Sequence, residues 1–175
     1  MTTPVPAPQG KTLKRVLTVS RLNGWSVVVI AALGALLSLA LGDLLGMFIG
    51  LLAVGSGWME VRGHGKLVRR DPDGMRLLVR SQLFLLAVVL VYCASRLGSY
   101  DQETMLANLT PDMEALLQEA GIAKADIIPL VRMAFFGLYG SVALTCVIYQ
   151  GGLALYYRSR VKIVSEALNG PPSTE

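Results

Sequence analysis

Four ionisable side chains fall at the ends of long apolar runs: Glu60, Arg80, Arg96 and Arg132. A charge at the centre of a bilayer costs about 2.5–3.5 kcal/mol or more, so residues of this kind mark ion paths, proton relays or paired contacts. Glu60, at the inner end of the second run, and Arg80, at the inner start of the third, are expected to meet at matched depth as an ion pair. Arg96 and Arg132 stand at the outer ends of the third and fourth runs. Arg80 and Arg96 lie roughly 24 Å apart along one helix, so both can reach an interface by snorkelling. Two readings follow: interfacial anchors with one Glu60–Arg80 pair, or charges that ring an ion path or hold lipid phosphates.

Uncharged polar residues extend the pattern. Gln82, Val89, Tyr92 or Cys93, and Arg96 share one helical face, which should turn away from lipid, either to line a path or to pack on a neighbour. Gln150, followed by Gly151 and Gly152, offers a break in the fourth run, where freed carbonyls would coordinate an ion. A tilted, unbroken helix needs no such role. Small residues recur at spacing four: Gly34, Ser38 and Gly42 on the first run, Gly46 and Gly50 on the second, with Gly137 and Gly140 on the fourth. That spacing lets helix backbones approach closely in lipid, either within one bundle or between copies of the chain.

The elements that must position these residues are legible from charge gaps. Hydrophobic residues make up 53% of the 175 and charged residues only 16%, against about a quarter in soluble domains. Residues 22–42 carry no charge, enough to cross about 30 Å of hydrocarbon as a helix. The run is too long for a signal-peptide core, and further runs follow it. Only Gly42 and Asp43 separate it from the second run, which requires an antiparallel hairpin. Asp71-Pro72-Asp73 reads as a helix start leading into the third span, with Asp71 as cap and Pro72 in the first helical position. The expected organisation is a basic arm over residues 1–21, with a tail to residue 10 and a short interfacial helix carrying Leu13, Val16 and Leu17. Three spans follow within 22–97, with a basic loop over 62–76, then an acidic loop over 98–128, a fourth span over 129–157 and a tail over 158–175. Within the acidic loop, Thr110, Pro111 and Gly121 bracket a short amphipathic helix.

Sidedness follows from the basic residues. Thirteen Lys and Arg flank the inner ends, and only Arg96, Lys124 and Arg132 flank the outer ones. The positive-inside rule then places both termini in the cytoplasm. Trp25, Trp58, Tyr156 and Tyr157 fall at the same inner level, as an aromatic belt should. Arg62, Lys66, Arg69 and Arg70 are placed to meet anionic headgroups, which assigns the net charge of +4 to a membrane surface rather than to nucleic acid.

Several chemistries are excluded. Gly63-His64-Gly65-Lys66 lacks the remaining positions of a phosphate loop and follows no strand. His64 has no histidine or cysteine partner for a metal, and Cys93 and Cys146 are too different in depth for a disulfide. No nucleophile–base set or carboxylate pair supports an enzyme, and no cofactor motif is present. The expectation is an all-α integral membrane protein of four transmembrane helices in a bacterial cytoplasmic membrane. Its expected role is a homo-oligomeric channel or transport protein; the alternative is a non-catalytic accessory or assembly subunit bound to another membrane protein.

Overall fold

The computed structural model of the protein describes residues 7–101, 110–121 and 124–169. Among these residues the chain is helical throughout: α1 (Ala7–Ala40), α2 (Leu44–Val68), α3 (Asp73–Gly98), α4 (Pro111–Glu119) and α5 (Lys124–Asn169). Four stretches are long and apolar enough to cross a membrane, namely Gly10–Ala40, Leu44–Val68, Asp73–Gly98 and Ile127–Asn169. The chain has the make-up of an integral membrane protein. Most of the expected N-terminal tail and the end of the C-terminal tail lie outside the described residues, as does part of the acidic loop.

Both hairpin turns are encoded locally. Gly42 takes φ +74°, with Asp43 N donating to Ser38 O at 2.8 Å and Gly42 N donating to Leu39 O at 3.1 Å. This left-handed stop satisfies the last carbonyls of α1. Asp43 at once caps α2, its carboxylate accepting from Gly46 N at 3.0 Å. The α2–α3 turn repeats the scheme with Arg70 at φ +62°. Asp71 Oδ1 then accepts from Asp73 N at 2.9 Å, the expected cap for the third span. Lys66 Nζ lies 3.0 Å from Asp71 Oδ2 and holds that carboxyl below the ordinary aspartate range. In α4, Thr110 Oγ1 accepts from Met113 N at 3.4 Å, and Gly121 has φ +76°.

The chain forms two compact units, residues 1–89 with 146–175, and residues 90–145. In the first, buried residues recur at spacings of three and four on every helix. They are Val16, Ser20 and Asn23 on α1; Ser56, Glu60, Gly63 and Leu67 on α2; Met75, Leu78, Gln82 and Leu85 on α3; and Gln150, Ala154, Tyr157, Val164 and Leu168 on α5. Such stripes pack helices side by side along their length. The apolar core joins Val16, Leu67, Met75, Leu78, Tyr157, Val164 and Leu168. In the second unit, rings of Tyr92, Tyr100, Phe135, Phe136 and Tyr139 pack edge-on or tilted, with centroids 4.8–6.0 Å apart.

The surface of the first unit changes character along its length. Leu22, Ile30, Leu33, Leu37, Phe48, Leu51, Leu83, Ile148 and Leu155 are exposed apolar residues, as a lipid-facing surface requires. Beyond Arg21, Arg62, Arg80 and Arg158 the exposed residues are mainly charged or polar, and the apolar core lies on that side. Hydrophobic burial drives packing only where water is the alternative, so the largest core belongs in the water-facing part of the bundle. Two expectations change accordingly. Residues 13–17 are not a separate interfacial helix but part of α1, with Val16 in the core. The helix of the fourth span does not stop at residue 157: α5 runs unbroken for 46 residues, about 69 Å, passing through Gln150 as the unbroken-helix alternative has it. Its apolar stripe through Tyr157, Val164 and Leu168 gives the extra turns a core to bury against.

Candidate functional site

At the level where exposed apolar residues give way to charge, the first unit buries a polar cluster instead of more aliphatic residues. Glu60 on α2 is its centre and is only 1% exposed. Asn23 Nδ2, from α1, donates to Glu60 Oε2 at 2.7 Å. The hydroxyl of Tyr157, from α5, donates to Glu60 Oε1 at 2.9 Å. Gln82, from α3, is 1% exposed and interacts with the same carboxylate. Tyr149 OH donates to Asn23 Oδ1 at 3.0 Å and orients the amide, leaving its NH2 for Glu60. All four long helices therefore converge on one carboxylate.

No ion pair joins Glu60 to Arg80; the expectation of that pair is corrected. The two carboxylate oxygens are taken by Asn23 and Tyr157, while Arg80 is exposed in a surface hollow with Lys66, Asp73, Arg76 and Leu77. Matched depth was not enough. An arginine at the surface keeps its hydration, whereas neutral donors on the inward-facing stripes reach Glu60 without exposing it. Among the described residues no cation contacts this buried carboxylate. Gln82 Oε1 and Gln150 Oε1 are also buried, and neither has a hydrogen-bond partner.

One helical turn further toward the charged end, Ser20 Oγ lies 3.2 Å from His64 Nδ1. Ser56 Oγ donates to Ser81 O at 2.7 Å and ties α2 to α3.

The remaining expected site residues are placed as follows. Tyr92, Arg96 and Arg132 belong to the second unit, with Arg96 over the Tyr92 ring at 5.2 Å and Arg132 over Phe136 at 5.8 Å. Arg62 lies over Trp58 at 5.9 Å, Lys66 pairs with Asp71, and Arg69 and Arg70 are exposed at the α2–α3 turn.

Of the small residues, Gly46 and Gly50 are at close approach to α1. A methyl group on Gly50 would lie 2.8 Å from Ala35 Cβ, and one on Gly46 would lie 2.7 Å from Ser38 Oγ. Gly34, Gly137 and Gly140 face open space, and Gly42 serves the turn. Within this chain, none of these four makes a close helix–helix contact. Equally close approaches fall elsewhere: a methyl group on Gly57 would lie 2.8 Å from Val28 Cγ2, and one on Gly74 would lie 2.6 Å from Gly63 O.

Asn23, Tyr149 and Tyr157 are the site residues that sequence reasoning missed. The available signal was their helical register: Asn23 shares a stripe with Val16, and Tyr157 shares one with Val164. Against known proteins, no family model, curated protein or solved structure matches the chain.

Proposed function

We propose that the protein is a small membrane transport protein whose working site is the Glu60 cluster. The observation that carries this reading is a buried carboxylate whose partners are all neutral. A carboxylate removed from water needs a positive charge, and here that charge has to come from outside the protein, as a proton or a small cation. The orphan oxygens of Gln82 and Gln150 suit a cation or a hydronium better than an anion. Glu60 and Gln82 are 1% exposed and Tyr157 is fully buried, which favours a carboxylate that is loaded and unloaded over an open water-filled pore.

In this reading both termini are cytoplasmic, following the positive-inside count, and the Glu60 cluster lies near the inner interface of a bacterial cytoplasmic membrane. The acidic loop with α4 is then extracytoplasmic. Exposed apolar residues along the spans, Met133, Leu138, Leu144 and Ile148 among them, leave room for a homo-oligomer. The same exposure favours the second reading, an accessory subunit whose fourth span docks on another membrane protein.

Proteoliposomes separate these readings. Wild-type protein should carry protons, Na+ or K+ down an imposed gradient above the rate of empty liposomes, and Glu60→Gln should lower that flux at least roughly tenfold, given the cost of losing a charged partner. Absence of flux under all three gradients would refute transport and leave the accessory-subunit reading. Flux indifferent to Glu60→Gln would remove the site.

A further inference from the structure

A second polar feature lies on the charged side of the first unit. Lys11, Thr12 and Arg15 on α1 and Tyr156 and Arg160 on α5 line a hollow of about 150 Å³. At roughly 30 Å³ per water, that is room for about five waters or one phosphoryl group. Three cations line it and no carboxylate does. Lys11 and Arg15 are one helical turn apart, a spacing at which like charges repel, so each destabilises the other in the absence of an anion. Arg160 stacks over Tyr156 at 5.8 Å, which fixes the guanidinium plane, and its buried Nε has no hydrogen-bond partner.

The other basic hollow of this unit is different. It contains Asp73, and two of its cations are already engaged, Arg76 with Asp73 and Lys66 with Asp71. That group is neutralised from within; the Lys11–Arg15–Arg160 group is not.

We propose that this hollow is a phosphate-binding site, with Arg160 and Arg15 as the recognising residues. An oriented guanidinium with a free N–H matches two oxygens of a phosphate, while Lys11 supplies a point charge. The hollow lies just past the level at which exposed apolar residues end, the depth at which phospholipid phosphates sit. A lipid headgroup is the source that fits that position, and a free phosphate is the other source of the same chemistry.

The test uses the full chain in phosphatidylcholine nanodiscs, with and without phosphatidylglycerol. Native mass spectrometry reads how much phosphatidylglycerol is retained, and inorganic phosphate is the competing probe. Wild type should retain phosphatidylglycerol, with Arg160→Gln and Arg15→Gln each weakening retention roughly tenfold, the size expected for one charge-assisted hydrogen bond. Arg160→Lys should keep part of the retention, and Arg76→Gln, outside the hollow and already paired with Asp73, should keep all of it. Retention that inorganic phosphate leaves untouched assigns the lipid headgroup. Displacement by inorganic phosphate, with the same arginine dependence, assigns free phosphate. Binding of neither probe, or equal losses in Arg76→Gln and the two hollow variants, overturns the site. Arg15 is exposed on α1, so Arg15→Gln gives the readout even where Arg160→Gln disturbs packing.

Discussion

Replacing Tyr157 by Phe removes one oxygen atom from the interior and little else. The ring is fully buried against Val16, Val164 and Leu168, and phenylalanine keeps that packing. The change deletes the 2.9 Å bond to Glu60 Oε1 and leaves that oxygen buried without its donor. Stranding a buried acceptor costs about 1–3 kcal/mol, toward the upper half where the acceptor is a carboxylate. We expect about 2 kcal/mol, or a Tm lower by roughly 4–8 °C for a chain of this size. The assay is thermal unfolding of the purified protein in mild detergent, followed by circular dichroism. Adding Glu60→Leu should make the Tyr157→Phe change nearly neutral, because the stranded oxygen is then gone. A Tyr157→Phe protein as stable as wild type, or two effects that simply add, would refute the hydrogen-bonded cluster.

Arg80→Gln and Glu60→Gln should act additively in the same unfolding assay, with Arg80→Gln alone within about 0.5 kcal/mol of wild type; coupling between them would restore the ion pair that the structure lacks. Gly57→Val should destabilise by about 1–3 kcal/mol, because its Cβ would lie 2.8 Å from Val28 Cγ2 and 3.0 Å from Gly24 O. Gly137→Ala, facing open space, should be neutral or gain up to about 1 kcal/mol in helix propensity. The Lys66–Asp71 contact lowers the folded pKa of Asp71, so its contribution is present above the ordinary aspartate range and is lost as pH falls through the lowered value. Asp71→Asn should remove that acid-side dependence from a pH series of Tm values.

Local signals were legible and distant partners were not. Gly42-Asp43 and Asp71-Pro72-Asp73 announce their turns because each bond in them spans five residues or fewer. Glu60 stood out as an ionisable group at membrane depth, but its partners lie 37 and 97 positions away. Reasoning from opposite charge pointed to Arg80. The folded chain uses an amide and a phenol, which cost less to desolvate than a guanidinium. The length of α5 was misjudged for a related reason: apolar density ends at Tyr157, whereas the helix continues as long as one stripe of it stays covered. A count of hydrophobic residues detects the span, and only the stripe through Val164 and Leu168 detects its extension.

The position of the apolar core has a consequence for how the chain is assembled. Val16 is made early, yet its neighbours Val164 and Leu168 follow roughly 150 residues later. Lipid can accept the spans one after another as they emerge, since each satisfies its own backbone hydrogen bonds. The core at the charged end cannot close in that stepwise manner. It stays open, with its apolar stripes facing water, until the last turns of α5 arrive to complete it. Insertion and closure are therefore separate events, and the final turns of α5 act as a clasp. A chain released just short of Val164 would have its spans threaded through the bilayer yet stay unlatched, its open seam available to chaperones and proteases.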